Sequence, residues 1–284
     1  MAPVVAIVAP GAMGAAVGKR LADQGVRVLT SLGGRSAAST QRAREAGMLA
    51  ASDVEIAAAD FVLSIVPPGD ALSLAERFAP VLKTSNAKPV YVDCNAINPA
   101  TIERVAAAIA PTGSPFVDAG IIGAPPIGRN GGPRFYASGE AVQRFATLRQ
   151  YGLDVRLLDG PPGTASAVKM SYAGITKGTQ AIGAAMMLAA MRAGSAEALF
   201  DELSFSQRDM LATFKQQLPL MPEKAYRWIA EMREIAGFVG DDPAARELYE
   251  GAAQFYERIA DDFSEEKKDS SALIAFLQGK WSGG

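Results

Sequence analysis

The sequence of 284 residues contains no histidine. Imidazole is the commonest general acid/base near neutral pH and a leading zinc ligand. Its absence removes Ser-His-Asp hydrolases, histidine-ligated zinc hydrolases and every dehydrogenase that works through a His–carboxylate pair. Proton chemistry must run through Lys, Tyr, Asp, Glu or water. Cysteine is nearly absent too: Cys94 stands alone, which excludes an intrachain disulfide and fits a reducing, cytoplasmic setting. There is no surplus of positive charge, with 28 Lys and Arg against 30 Asp and Glu and a net charge of −2. Neither nucleic acid nor an anionic membrane is therefore expected as a main partner. Long hydrophobic runs are also missing. The uncharged stretch 178–191 falls short of the roughly 18 residues a membrane span needs. The apolar segment 3–9 lacks the basic flank of a signal peptide and reads as a strand.

What is present falls into two halves of different rhythm. Short runs rich in Val, Ile and Phe at 4–8, 26–30, 61–66, 90–93 and 116–118 alternate with Ala-rich stretches of helical pattern at 14–24, 36–46, 70–82 and 99–110. Runs that are apolar throughout suit parallel strands covered on both faces, and their alternation with helices is the pattern of a doubly wound α/β sheet. Further strands at 116–119, 134–138 and 155–158, a Gly/Pro-rich loop at 123–133 and a short helix at 140–151 complete a mixed sheet edge. From about residue 163 the strands stop. Residues 164–192 read as one helix, apolar almost all round and so buried in a helical domain or between subunits. Amphipathic helices are expected at 195–217, 222–238 and 243–261, the last opened by Asp242 as N-cap with Pro243 at the first helical position. The segment 264–284 is expected to be partly tail, with 273–277 docking. The class is therefore α/β, an N-terminal Rossmann-type doubly wound sheet over 1–162 followed by an all-helical C-terminal domain over 163–284.

The first strand runs into Ala9-Pro10-Gly11-Ala12-Met13-Gly14 and then an Ala-rich helix. This approximates the dinucleotide fingerprint G-x-G-x-x-G, with Ala9 in the first glycine position. Pro10, Gly11, Ala12, Met13 and Gly14 are then the pyrophosphate loop. Gly11 lets the backbone approach the ligand, Gly14 lets helix and strand pack closely, and the helix N-terminus supplies N–H donors. An acidic residue ending the second strand would bind the ribose of NAD, but 30–36 holds none. Arg35, with the hydroxyls of Ser31 and Ser36, instead favours the 2′-phosphate of NADP over NAD. Ligands in open α/β sheets sit beyond the carboxyl ends of the strands, so Val66, Pro67, Pro68 and Asn95 should line the same cleft. Cys94 reads there as a small buried hydrophobe. Arg129, in the Gly/Pro loop, reads as a solvated residue, attraction of an anionic substrate being the alternative. No residue set reads as a metal site.

Four blocks carry a resemblance. Residues 9–14, with Met13, look like G-L-G-x-M-G; residues 93–99 look like D-x-S-T-x-x-P, with Asn95 at the serine; residues 118–124 look like D-A-P-V-S-G-G; and residues 163–169 look like G-x-G-x-x-x-K, ending on Lys169. In this order and spacing the chain resembles the β-hydroxyacid dehydrogenases, which include 3-hydroxyisobutyrate and 6-phosphogluconate dehydrogenases. The resemblance implies a Rossmann domain, a helical C-terminal domain often buried in a homodimer, and a lysine, here Lys169, that exchanges a proton with the substrate hydroxyl. Departures are concentrated on the substrate side. Ile122 replaces the serine that helps hold the substrate carboxylate, Ala124 replaces the second glycine, Ala173 replaces an expected asparagine, and K-D-L appears as residues 230–232, Ala-Glu-Met. Residues 224–232 resemble a less characterised branch with a short C-terminal domain of unknown function.

Read from the residues, Lys169 shares a thin polar stripe with Ser166, Tyr172, Ala173, Thr176 and Gln180 on an otherwise apolar helix. A lysine in such surroundings has its charged form disfavoured, which suits general-base work; snorkelling to solvent or pairing with a carboxylate is the alternative. Asn95 is expected to orient the substrate oxygen and Tyr172 to be a second donor. The backbone N–H groups around Ile122 and Gly123 are expected to bind an acidic group, and Lys177 is expected to be structural or a surface residue. The activity expected is NADP-dependent hydride transfer at the carbinol carbon of a small hydroxyacid-like substrate. An NADPH-dependent imine reductase is one alternative, although those enzymes usually carry Asp or Tyr where Lys169 stands. A non-catalytic NADPH-binding sensor is another.

Overall fold

The computed structural model describes residues 2–126 and 132–281; Arg129 lies outside the described residues. The chain divides into two compact units, Met1–Met170 and Ser171–Gly284.

In the first unit the elements run β1 (Val4–Val8), α1 (Ala12–Ala22), β2 (Arg27–Thr30), α2 (Ala37–Glu45), β3 (Leu49–Ala50), α3 (Asp53–Ala57), β4 (Phe61–Ser64), α4 (Ala71–Thr84), β5 (Val90–Asp93), α5 (Pro99–Ile109), β6 (Phe116–Ile122), β7 (Arg134–Ser138), α6 (Val142–Ala146) and β8 (Asp154–Leu157). The strands form one sheet in the order β3-β2-β1-β4-β5-β6-β7-β8. All pairs are parallel except β6 with β7. Side chains alternate across the sheet with period two. Val5, Ile7, Val28, Leu63 and Val92 meet residues of α1, α2 and α6 on one face. Ala6, Val8, Leu29, Val62 and Tyr91 meet residues of α3, α4 and α5 on the other. Both faces are covered, which is why the strands read as unbroken apolar runs rather than as alternating ones.

Two elements escape a reading by pattern. β3 is a two-residue exposed strand, and α3 is a five-residue helix held by a capping box between Ser52 and Glu55. The helix expected over 140–151 is instead α6 followed by a 3-10 turn, Thr147–Tyr151. β6 runs on to Ile122, past the expected 116–119, because Gly120, Ile121 and Ile122 find partners in Tyr136, Phe135 and Arg134 of β7.

The second unit is helical. α7 (Thr164–Arg192) begins in the first unit and continues into the second, and is followed by α8 (Ala196–Ser206), α9 (Arg208–Gln217), α10 (Ala225–Phe238), α11 (Pro243–Ser264) and α12 (Lys268–Leu277). The single helix expected over 195–217 is broken at Gln207, whose backbone leaves the helical region. Ser206 bonds back to the Glu202 carbonyl and Arg208 to that of Ser204, the local competition by which serine weakens a helix interior. The expected tail is largely α12. Its start is held by Asp262, which accepts from the Asp269 and Ser270 N–H groups and the Ser270 hydroxyl. A cap supplied from the preceding helix leaves no signal at the usual adjacent position. At α11 the adjacent signal holds: Asp242 accepts from the N–H groups of Ala244 and Ala245.

Lys177 is tied into this unit. Its ammonium pairs with the buried carboxylate of Glu231 and lies 5.0 Å from the Trp228 ring centre, while its carbonyl accepts from the Tyr256 hydroxyl at 2.6 Å. No helix among the described residues is long and apolar enough to cross a membrane.

Candidate cofactor and active site

β1, β2, β4 and β5 are parallel, so the turns that follow them share the carboxyl edge of the sheet. This places Pro10 to Gly14, Ser31 to Ser36, Val66 to Pro68 and Asn95 along one edge. Direct bonds join them: Ala9 N–H donates to the Ile65 carbonyl at 3.2 Å, and Val66 N–H donates to Asn95 Oδ1 at 2.7 Å. At the fingerprint, a Cβ on Gly14 would come within 2.1 Å of the Ala9 carbonyl oxygen, so only glycine lets α1 start this close to β1. A Cβ on Gly11, by contrast, would meet nothing within 4 Å. Gly11 is the N-cap and offers no side-chain bond to the first turn of α1. That leaves the first-turn N–H groups and an open space above them, a cradle that fits a pyrophosphate.

The residues at the end of β2 are placed differently from the expectation. Arg35 is half-buried, and no bond of its guanidinium to a described residue is present. The Ser36 hydroxyl, however, is engaged in capping α2: it accepts from Ser39 N–H and donates to the Ser39 hydroxyl. Ser31 is buried and accepts from Arg77 of α4 at 2.9 Å. Two cations missed by the sequence reading therefore stand here, Arg77 and also Arg42 of α2, whose Nε donates to the Pro10 carbonyl at 3.3 Å. Both lie far along the chain from the strand end they approach, and no local pattern marks them.

Asn95 is buried and nearly saturated. Its Nδ2 donates to Ser64 Oγ at 2.7 Å and to Asp93 Oδ2 at 2.9 Å, while its Oδ1 accepts from Val66. Both amide hydrogens are thus used inside the protein, so Asn95 is not placed to donate to a substrate oxygen as the sequence suggested. It braces the Val66-Pro67-Pro68 turn against β5. Asp93 also accepts from the Asn95 N–H at 3.0 Å. Complete burial pushes its carboxyl up to about 7, against the lowering effect of the bonds from Asn95. Cys94 is buried and its thiol is raised, chiefly by burial, in keeping with a packing role.

The start of α7 is anchored to the same sheet. Asp118 on β6 accepts from Gly163 N–H at 2.8 Å, Ser166 N–H at 3.0 Å, the Ser166 hydroxyl at 2.7 Å and the Ser138 hydroxyl at 3.3 Å. Ser138 in turn accepts from Ala165 N–H at 3.1 Å. Buried carboxylate and hydroxyl together satisfy N–H groups that a helix start otherwise leaves unpaired. Two residues along β6, on the same face, is Gly120. A Cβ there would meet the Ala165 carbonyl and Lys169 Cβ, each at 2.9 Å. Lys169 therefore sits directly over β6, one turn beyond the anchor, and is half-buried. Ile122 ends β6 opposite Arg134, and Gly123 follows with φ +125°. Tyr172 and Ala173 are farther along α7, the tyrosine 51% exposed and the alanine buried. Among the described residues no cluster of Cys, Asp and Glu is arranged to hold a metal.

Comparison with known proteins agrees with this anatomy. A family model described as the NAD binding domain of 6-phosphogluconate dehydrogenase matches residues 4–150. A second, described as a domain of unknown function (DUF1932), matches residues 190–259. Among solved structures the chain is similar to the conserved protein MTH1747 of unknown function, whose structure is described as similar to 3-hydroxyacid dehydrogenases. The two are 29% identical with a TM-score of 0.68, over 90% of this chain and 96% of that one. It also shares its fold with Mycobacterium tuberculosis 3-hydroxyisobutyrate dehydrogenase, at 21% identity and TM-score 0.70 over 98% and 100% of the two chains. Streptomyces aurantiacus imine reductase follows at 16% identity and TM-score 0.57 over 96% and 99%.

Proposed function

Because the chain belongs to the family that carries the NAD binding domain of 6-phosphogluconate dehydrogenase, we propose that it is an NADP-dependent oxidoreductase acting on the carbinol or carbonyl carbon of a small hydroxyacid-like substrate. The observation that carries this reading is Lys169 held over β6 at Gly120, one turn past a helix start anchored by Asp118 and Ser138. The bound nicotinamide supplies hydride transfer. The chain's own residues bind, orient and move the proton. The first turn of α1 and the open space at Gly11 hold the pyrophosphate, and Arg35 meets the 2′-phosphate. Asn95 acts by holding Val66, and with it Pro67 and Pro68, in place along the cleft. Lys169 takes the hydroxyl proton in oxidation and returns it in reduction. Tyr172, three residues along the helix, is the second donor, and the N–H groups around Ile122 and Gly123 receive an acidic group. Ala173 has no polar side chain to offer and Ile122 stands in place of a hydroxyl residue, so the acidic group is left to those backbone N–H donors.

A panel of hydroxyacids, aldehydes, ketones and imines, run with NADPH and NADH in parallel, tests this reading. NADPH is expected to be consumed faster, and Arg35→Ala is expected to reduce that preference about tenfold, the size of one charge-assisted bond. Preference for NADH would remove the role of Arg35. Reduction of imines alone would favour the imine reductase alternative, and binding of NADPH without turnover of any compound would favour a sensor.

The protein is proposed to work as a cytoplasmic homodimer joined through α7. Val168, Ile175, Ile182 and Met186 are exposed by 37%, 69%, 52% and 59%. Their four- and seven-residue spacings put them on one helix face. A self-complementary apolar stripe of this kind is what two copies of a helix bury against each other. Light scattering is expected to give the mass of two chains, and Ile175→Asp with Ile182→Asp the mass of one. A wild-type monomer at micromolar concentration would refute the dimer.

A further inference from the structure

The adenosine end of the cleft contains an ion pair that the reading above does not use. Arg77 of α4 clamps Asp53 of α3 in a bidentate pair, Nη2 to Oδ1 at 2.6 Å and Nε to Oδ2 at 2.9 Å, and its Nη2 also donates to Ser31 Oγ at 2.9 Å. Ser31 directly follows β2, where the adenosine ribose lies in a fold of this kind. The pair is part-exposed, with 41% and 30% of the two side chains accessible, so a ligand reaches it without opening the core. The two Nη1 hydrogens of Arg77 have no partner among the described residues. The sequence reading found no carboxylate at the end of β2. The structure brings one there from residue 53, already occupied by an arginine.

From this we infer that the Asp53–Arg77 pair at Ser31 sets the choice between a ribose 2′-phosphate and a 2′-hydroxyl. The inference rests on the proposal that the cleft holds NADP. A bare carboxylate beside Ser31 would repel a phosphate and accept from ribose hydroxyls, which favours NAD. With Arg77 bridging Asp53 and Ser31, the carboxylate is neutralised and the free edge of the guanidinium is turned to binding an anion. The Asp53 partner makes the charge of Arg77 still more persistent, as the raised guanidinium pKa indicates. Arg77 thus works as a second specificity determinant beside Arg35, contributed by a different helix, while Asp53 holds its fork in position.

Isothermal titration of the full chain with 2′,5′-ADP and with 5′-ADP tests this without turnover. The wild-type protein is expected to bind 2′,5′-ADP more tightly. Arg77→Ala is expected to weaken 2′,5′-ADP about tenfold or more while 5′-ADP changes less than about threefold or tightens. Arg77→Lys keeps the charge but not the fork and is expected to fall between the two. Asp53→Asn loosens the brace on the fork and is expected to weaken 2′,5′-ADP a few-fold while 5′-ADP changes less. Equal loss for both nucleotides in Arg77→Ala, or no loss for either, would overturn the inference. The same result in Arg77→Lys, whose charge keeps the pair with Asp53, guards against a folding artefact. A wild-type protein with no preference for 2′,5′-ADP would instead overturn the NADP reading itself. Selective loss in Arg77→Ala but not in Arg35→Ala would leave this inference standing and remove Arg35.

Discussion

Replacing Lys169 by alanine is expected to lower turnover at saturating substrate by about 10²- to 10⁴-fold, the usual contribution of a positioned general acid/base. In free energy that is about 3–5 kcal/mol of transition-state stabilisation. NADPH binding should change little, because no part of the cofactor cradle depends on residue 169. The seating of α7 on β6 should be kept, because what meets Gly120 is the Lys169 Cβ, which alanine retains. The informative result is therefore a loss of kcat with intact cofactor affinity. Full turnover by Lys169→Ala would end the lysine mechanism. The complementary change, Gly120→Ala, places a methyl 2.9 Å from Lys169 Cβ and from the Ala165 carbonyl. It is expected to push the start of α7 off the sheet and depress activity while every ionisable group is retained.

Asp118→Ala is expected to destabilise the first unit strongly. It removes the acceptor for two N–H groups and two hydroxyls at a buried site. An unsatisfied buried donor costs about 1–3 kcal/mol, and relief of the buried charge offsets part of the sum, which leaves a net loss of about 3–5 kcal/mol. For a unit of this size the melting temperature should fall by roughly 10 °C. Turnover should fall as well, because Lys169 stands one turn beyond the lost anchor.

Asp118→Asn separates the anchor from its charge. The amide oxygen can accept from Gly163, Ser166 N–H and Ser138, and the amide nitrogen can donate to the Ser166 hydroxyl, which reverses one bond and keeps the rest. Burial pushes the Asp118 carboxyl above its ordinary value, with the bonds from Ser166, Gly163 and Ser138 opposing it. A carboxyl raised in the folded state favours folding fully at pH values below its unfolded pKa. That contribution is lost as pH climbs through the raised value. Asp93, raised to about 7 by burial, gives the same sign over the window from about 4 to 7. Wild-type stability should therefore decline more steeply with rising pH, above the ordinary carboxylate range, than that of Asp118→Asn. Chemical denaturation at a series of pH values reads the difference, and parallel curves would show that the Asp118 charge is not held where burial argues.

The fold was largely legible because its signals are local. Parallel strands buried on both faces must be apolar at every position, so β1, β2, β4 and β5 stand out between Ala-rich helices. The bounds of α7 could be read from residue 164 to 192 because the polypeptide between Gly163 and Ala193 holds neither proline nor a run of charge. Elements whose support comes from elsewhere were not legible: α12 relies on Asp262 of another helix, and β3 is fixed only by pairing with β2.

The same division runs through the site. Sequence alone determined which turns share the carboxyl edge of the sheet, because a strand–loop–helix unit with glycine at 11 and 14 can be built in few ways, and it singled out Lys169 from its helix as the proposed proton carrier. Tertiary structure decided what those residues have left to offer. A hydrogen-bonding group has a small, countable capacity, and whether it is spent inside the protein depends on neighbours that pairing and packing bring from distant positions. Asn95 spends both amide hydrogens on Ser64 and Asp93, and Ser31 receives Arg77 from 46 residues away. The absence of histidine had already put the burden of proton transfer on another residue type. Only the packing of α7 over Gly120, anchored by Asp118, decided that Lys169 sits over β6, the position from which the proposed proton transfer follows.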